Sequence, residues 1–288
     1  MPPSIFEMGV VVGYKCNFRC RHCVTLRNKT PSLNAGEKRR LIFTINRHNP
    51  RSLLFVGGET TLYIPTINEI LSGMRALSRT KIKITTNGYF ATTINSAIET
   101  LKAVKKLSAV QLSYDRFHAA HMPIHKVKKL YQACKQLGID FSVIMTICSP
   151  LEMAGLRELW GIGKFRIGIQ KVLPVGEAKR NGIEYLYPSF DKRVLGRFCP
   201  NRNKIKYLCG QGFSMCCGNL AYNSRLPIVH PTAARHMNSR FYRLITTMNF
   251  RALLKKAGLP AAGLLPKHSS ECNLCEYIFG NSRLLSAS

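Results

Sequence analysis

The run Gly13-Tyr-Lys-Cys16-Asn-Phe-Arg-Cys20-Arg-His-Cys23 sets three cysteines within eight residues, spaced Cys-x3-Cys-x2-Cys, at the end of a strand-like segment, Met8–Tyr14. Three thiolates this close can hold one cubane face of a 4Fe–4S cluster, for which a bacterial ferredoxin run supplies a fourth cysteine nearby. Here the next cysteine is Cys134, far along the chain. Three ligands on four irons leave one iron open to a substrate or cofactor. A structural zinc ion wants four closed ligands, and the only further donor of that kind in the loop, His22, is wedged between Cys20 and Cys23.

Outward from this loop the chain alternates. Strand-like segments recur at Ser52–Gly57, Lys81–Thr86, Val110–Tyr114, Phe141–Ile147 and Phe165–Lys171, rich in β-branched and aromatic residues and ended by turn signals. Segments of helical length separate them: Ala35–Arg47, Ile67–Ser78, Ile94–Leu107, Ile124–Leu137, with Gly138 at the cap position, and Leu151–Leu159. The alternation predicts parallel βαβ units in an α/β fold, as an open doubly wound sheet or a barrel-like one. After about Gly182 the rhythm stops. A single helical stretch, roughly Asn238–Ala257, precedes the last cysteine pair. The expected division is a domain over 1–182 and a smaller cysteine-organised region over 183–288.

The chain has 288 residues, enough to bury a core without disulfide staples. With 45% hydrophobic and 20% charged residues it is not a largely disordered chain. No run approaches the ~18 uninterrupted apolar residues of a membrane span. The N-terminal residues lack the pattern of a signal peptide, so a cytoplasmic protein is expected, in which clustered cysteines favour metal over disulfides. Lys and Arg number 43 against 14 Asp and Glu, a formal net charge of +29. That is the footprint of a partner rich in phosphate or carboxylate, although the basic residues are spread along the whole chain, as on a solvated basic surface.

Several strand ends carry polar or glycine-bearing segments: Gly57-Gly58-Glu59-Thr60, Thr85-Thr86-Asn87-Gly88, Gln111-Leu-Ser113-Tyr-Asp115 and Pro174-Val-Gly176-Glu-Ala178. C-terminal strand ends are where ligands bind in parallel α/β folds. Together with the cysteine loop, these segments resemble the radical S-adenosylmethionine (SAM) superfamily over most of the chain. The resemblance implies a partial (β/α)6 barrel. It implies that the open iron is chelated by the amino and carboxylate groups of SAM. One electron, from a donor such as flavodoxin or ferredoxin, then cleaves the S–C5′ bond, and the 5′-deoxyadenosyl radical abstracts a substrate hydrogen.

Residue by residue, it implies that Cys16, Cys20 and Cys23 hold the cluster. Gly57, Gly58, Glu59 and Thr60 look like the family's Gly-Gly-Glu-Pro motif at the SAM amino group, with Thr60 in place of proline. Thr86 and Asn87 would lie near the ribose, Ser113 near SAM, and Pro174 and Gly176 beside the adenine. Asp115 would face the substrate side as a catalytic residue. His118, His121 and His125 follow it, either as a polar loop entering a helix or, for His118 above all, as a substrate acid/base or a metal site. Trp160 is expected in the core or at the barrel rim.

Six more cysteines lie late, at Cys199, Cys209, Cys216, Cys217, Cys272 and Cys275. Cys134 and Cys148 stand alone in apolar contexts and read as small core residues. The late pattern resembles the SPASM and twitch extensions of radical SAM enzymes, closer to the single-cluster twitch type. It implies a second 4Fe–4S cluster on Cys209, Cys217, Cys272 and Cys275, with Cys216 as the alternative to Cys217 and Cys199 as a competitor. Four thiolates also suit a zinc ribbon. Relatives with such extensions make a peptide or protein the leading substrate. A nucleic acid or nucleotide is the alternative, and a non-catalytic metal-binding protein a third. The cysteine motif begins so early in the sequence that a separate peptide-recognition partner is expected.

Overall fold

The computed structural model describes residues 5–25, 32–223 and 226–285. In chain order the first unit comprises β1 (Glu7–Val11), α1 (Ala35–His48), β2 (Ser52–Val56), α2 (Ile64–Ser72), β3 (Lys81–Thr86), α3 (Ile94–Lys102), β4 (Leu107–Ser113), α4 (Arg116–Ala119), α5 (Ile124–Gln136), β5 (Asp140–Ile147), α6 (Leu156–Trp160), β6 (Arg166–Lys171) and α7 (Glu177–Arg180). There follow β7 (Lys204–Leu208), β8 (Gly212–Ser214), α8 (Asn219–Asn223), α9 (Ala233–Asn238), α10 (Arg240–Thr247), α11 (Phe250–Ala257) and α12 (Glu271–Gly280). Among the described residues the strands form one eight-stranded sheet in the order β6-β5-β4-β3-β2-β1-β7-β8. Every pairing is parallel except the β7–β8 hairpin. The sheet is open, with β6 and β8 at its edges, as a partial barrel requires.

Parallel strands covered on both faces read as continuous apolar runs. These strands instead alternate, because only one face packs on helices. Met8, Val10, Leu53, Phe55, Ile82, Ile84, Val110 and Leu112 are fully buried and share one core with Leu41, Ile67, Leu101 and Leu130 of the helices. On the other face Lys83, Thr85, Gln111 and Ser113 are only half-buried, leaving a polar concave surface. There Glu7 lies 3.1 Å from Lys83 Nζ and 3.0 Å from Lys204 Nζ, joining β1, β3 and β7.

The expected strands are present with ends shifted by up to three residues. The region after Gly182 holds more order than its sequence suggests. β7 continues the parallel sheet, with Glu7 opposite Lys204 and Val10 opposite Tyr207. The boundary at 182/183 is therefore crossed by the sheet itself. Glu37 of α1 reinforces this join, its Oε1 accepting from Tyr207 Oη and Gly210 N at 2.8 Å each. The expected helix over Asn238–Ala257 is two helices, α10 and α11, with α9 ending at Asn238. Ser239 caps α10 by accepting from Tyr242 N, and Asn249 caps α11 by accepting from Ala252 N; such side chains favour helix starts over helix interiors. The expected helix ending at Leu107 stops at Lys102, and Lys106 turns the chain with a φ of 53°. Trp160 is not in the core: it is 66% exposed at the end of α6. Cys134 and Cys148 are buried core residues, as expected.

Candidate active site

The cysteine loop after β1 is held by the loops that follow four other strands. After β2, Gly58 N donates to Gly13 O and Glu59 N to Lys15 O, each at 2.9 Å. A Cβ on Gly58 would sit 2.2 Å from Lys15 O, and one on Gly57 2.8 Å from Gly13 O. The glycine pair is thus required for backbone to lie on backbone, a packing role that the sequence alone does not separate from ligand binding. After β6, Gly176 has a φ of +59°, and a Cβ there would meet the carbonyls of Cys23 and Val24 at 2.8 Å. Glu177 N donates to that Cys23 carbonyl at 2.9 Å.

After β3, Asn87 Nδ2 donates to Asn17 Oδ1 at 2.8 Å. Glu59 joins this segment to the β2 end. Its buried carboxylate accepts from Thr61 N and Oγ1 and from Thr86 Oγ1 at one oxygen, and from Asn87 N at the other, at 2.6–3.0 Å. Thr60 Oγ1 donates to Thr85 O at 2.6 Å. The Glu59 carboxylate expected at the SAM amino group is therefore a four-donor strut between two loops. Ser113 is half-buried on the polar concave face.

After β4 stands the least expected feature. Asp115 is 3% exposed and caps α4 by accepting from Phe117 N and His118 N. Its carboxylate also lies 2.9 Å from His118 Nδ1 and 3.3 Å from His22 Nε2. Against the cost of burial, these two histidines hold the Asp115 carboxyl well below the usual range. The ring of His22 stacks on Phe117 with centroids 4.2 Å apart. Asp115 thus turns inward, clamping the cysteine loop through His22 and leaving no carboxylate oxygen on an open substrate face. The signal for this contact was the histidine between Cys20 and Cys23. His121 packs its ring on Phe18.

Within the loop, Cys16 is exposed, Cys23 half-buried and Cys20 buried. Burial pushes the Cys20 thiol up to about 12, with Cys23, Asp115 and Cys16 adding to it. Burial also raises Cys16, although the Phe18 N–H donates to its sulfur at 3.4 Å. A cation bound by three neighbouring thiols displaces their protons, so binding here is coupled to pH. The donor set suits an iron–sulfur cluster with one iron left open.

In the second region, Cys199, Cys216, Cys217, Cys272 and Cys275 line one pocket, walled by Met215, Leu220, Phe241, Ile245 and Phe250. Burial pushes Cys199 up to about 12 and Cys216 up to about 11, and raises Cys272 and Cys275 well above the ordinary thiol range. Cys217 alone is lowered: despite burial, the Lys206 ammonium beside it and the Asn201 side-chain N–H, 3.2 Å from its sulfur, favour the thiolate.

Cys209, expected with this group, does not line the pocket but lies at the tip of the β7–β8 hairpin. Its carbonyl accepts from Tyr14 Oη at 3.1 Å, and burial beside Glu37 pushes its thiol up to about 12. The hairpin pairs Leu208 with Gly212 and Lys206 with Ser214, so it carries Cys209 to one end and Cys216 and Cys217 to the other.

Residues 10–152 match the family model described as the Radical SAM superfamily. The chain belongs to that superfamily and is a radical SAM enzyme, a class that works with a 4Fe–4S cluster and SAM. No curated protein matches it. Among solved structures it is similar to native anSMEcpe with bound AdoMet and Cp18Cys peptide, at 12% identity over 96% of each chain and a TM-score of 0.53. A second structure, native anSMEcpe with bound AdoMet and Kp18Cys peptide, gives 0.51 at the same identity and coverage. Methylornithine synthase (PylB) matches 63% of this chain and 58% of its own at 14% identity, with a TM-score of 0.44. Among the described residues no helix is long and apolar enough to cross a membrane.

Proposed function

We propose that this enzyme modifies a peptide or protein, and that its second cysteine group holds an auxiliary 4Fe–4S cluster. The observation that carries the proposal is the convergence of five cysteines, from three stretches distant in sequence, in one apolar pocket on the continuation of the catalytic sheet. The fold likeness to anSMEcpe, a protein whose structure holds a peptide, supports it across nearly the whole chain.

On this reading Cys16, Cys20 and Cys23 hold the first cluster, which when bound with SAM supplies the 5′-deoxyadenosyl radical. Gly57, Gly58, Thr60, Thr86, Asn87, Ser113, Pro174 and Gly176 shape the SAM side. Glu59 fixes two of those loops in register. Asp115, His22 and His118 hold the cysteine loop from beneath. Four of Cys199, Cys216, Cys217, Cys272 and Cys275 are the proposed ligands of the second cluster, with Lys206 favouring the thiolate of Cys217. An electron donor such as flavodoxin or ferredoxin and a separate peptide-recognition partner belong to the same proposal. The net charge of +29 favours modification of RNA as the second reading.

The test is anaerobic turnover of reconstituted enzyme with SAM, dithionite and peptides encoded beside its gene. The expected result is 5′-deoxyadenosine together with a mass change on one peptide. A mass change on RNA and on none of the peptides supports the second reading instead.

A further inference from the structure

A cleft of about 500 Å³ opens where β6 ends, between Lys171 and the segment from Tyr185 to Arg197. That volume suits a small ligand or a side chain with its neighbours. The Lys171 ammonium lies 4.5 Å from the ring centre of Tyr185 and 4.4 Å from that of Tyr187, and the two rings meet edge to face at 4.7 Å. Two aromatic faces hold the ammonium in place at the wall while leaving its charge uncompensated. Across the cleft, Arg193 is paired with Asp191 through three contacts of 2.9–3.1 Å, and Arg197 with Glu271 at 2.8 Å. Lys192, between Asp191 and Arg193 in sequence, is exposed. Among the described residues neither Lys171 nor Lys192 has a carboxylate partner.

We propose that this cleft binds a carboxylate of the substrate, an Asp or Glu side chain of the peptide, between Lys171 and Lys192. The inference rests on the peptide reading above and names the chemistry that selects the peptide. Acidic peptide is favoured over nucleic acid because the aromatic faces are already used. Tyr185 packs against the cluster of Met145, Ile147 and Leu156 and faces Lys171 and Tyr187, so it offers no free face to a base. The cleft also lies at the end of a strand whose following loop touches the cysteine loop. Gly176, which rests on the Cys23 carbonyl, is only five residues beyond Lys171.

The probe is a fluorescent ten-residue peptide with four glutamates, compared with its all-glutamine counterpart and with an RNA of equal charge. Binding is read by anisotropy on the reconstituted, SAM-loaded enzyme. Lys171→Gln with Lys192→Gln is expected to weaken the glutamate peptide about tenfold, while Lys128→Gln with Lys135→Gln on α5, an equal loss of charge, changes it less than twofold. Carbodiimide coupling, which joins a carboxylate to an ammonium-bearing side chain as an amide with loss of water, should mark Lys171 and Lys192 above the other lysines. SAM cleavage without peptide, measured on the same variants, is expected at the wild-type rate, which separates failure of this site from failure of the radical SAM assignment. Equal weakening by both double variants, coupling spread over the surface, or a loss confined to RNA overturns the proposal.

Discussion

Cys16, Cys20 and Cys23 stand in one short loop, and the fold surrounds that loop with backbone from the ends of β2 and β6 and with side chains from β3 and β4. Cys199, Cys216, Cys217, Cys272 and Cys275 come from three distant stretches and meet among apolar side chains. The first site is written in local spacing, because a cubane face needs three thiolates at fixed short separations. The second is written in the fold, because only the register of one hairpin and the docking of α12 bring its sulfurs together. Substitutions should therefore act differently in the two. In the first, neighbouring backbone matters as much as the cysteines; in the second, position along the hairpin decides which cysteine counts.

The largest expected effect is from Cys16→Ala, Cys20→Ala and Cys23→Ala together, which should reduce 5′-deoxyadenosine formation to background. Wild-type cleavage in this variant would remove the loop from the active site. Next comes Glu59→Ala, which leaves four donors at a buried position without their acceptor. Each unsatisfied buried group costs roughly 1–3 kcal/mol. Thermal unfolding should therefore move down by several degrees, and SAM affinity should fall with it because the β2 and β3 loops lose register. A lost affinity with an unchanged melting temperature would instead give Glu59 a direct contact with SAM.

A smaller, pH-dependent effect separates the second region from the first. His236 is fully buried and its Nε2 accepts from Met215 N at 2.9 Å. Burial, with His230 beside it, lowers its pKa to about 4. A histidine held neutral in the fold costs nothing above its unfolded pKa near 6.5. As pH falls from there toward about 4, protonation favours the unfolded chain, and stability is lost by up to about 3 kcal/mol at 1.36 kcal/mol per unit. His236→Gln, which keeps an acceptor, should flatten this loss in denaturant titrations between pH 7 and 4. An equal slope in the variant would place the acid sensitivity elsewhere. Least of all is expected from Cys209→Ala, which should leave the iron content unchanged, whereas Cys216→Ala or Cys272→Ala should lower it.

Alternation and turn signals made the six parallel strands and the helices between them legible, and the cysteine spacing marked the loop on which the other strand ends converge. Glu59, Thr86, Asn87 and Gly176 were singled out for a ligand, and their observed contacts are with the protein itself, since one residue type serves equally to hold a loop and to hold a ligand. Asp115 was expected to face substrate because nothing local shows that His22 and His118 enclose it. β7 was missed because Lys204, Lys206 and Tyr207 alternate across a face that is half polar, and its partner β1 lies almost two hundred residues earlier. Cys199 and Cys209 competed for one position in the sequence, and only the hairpin register shows that Cys209 and Cys216 lie at opposite ends.

The claim that the second region carries its own cluster is tested most directly by anaerobic metal analysis of the Cys16→Ala, Cys20→Ala, Cys23→Ala variant. With the first cluster removed, the account predicts about four irons per chain and a brown chromophore. One zinc ion and no iron would contradict it.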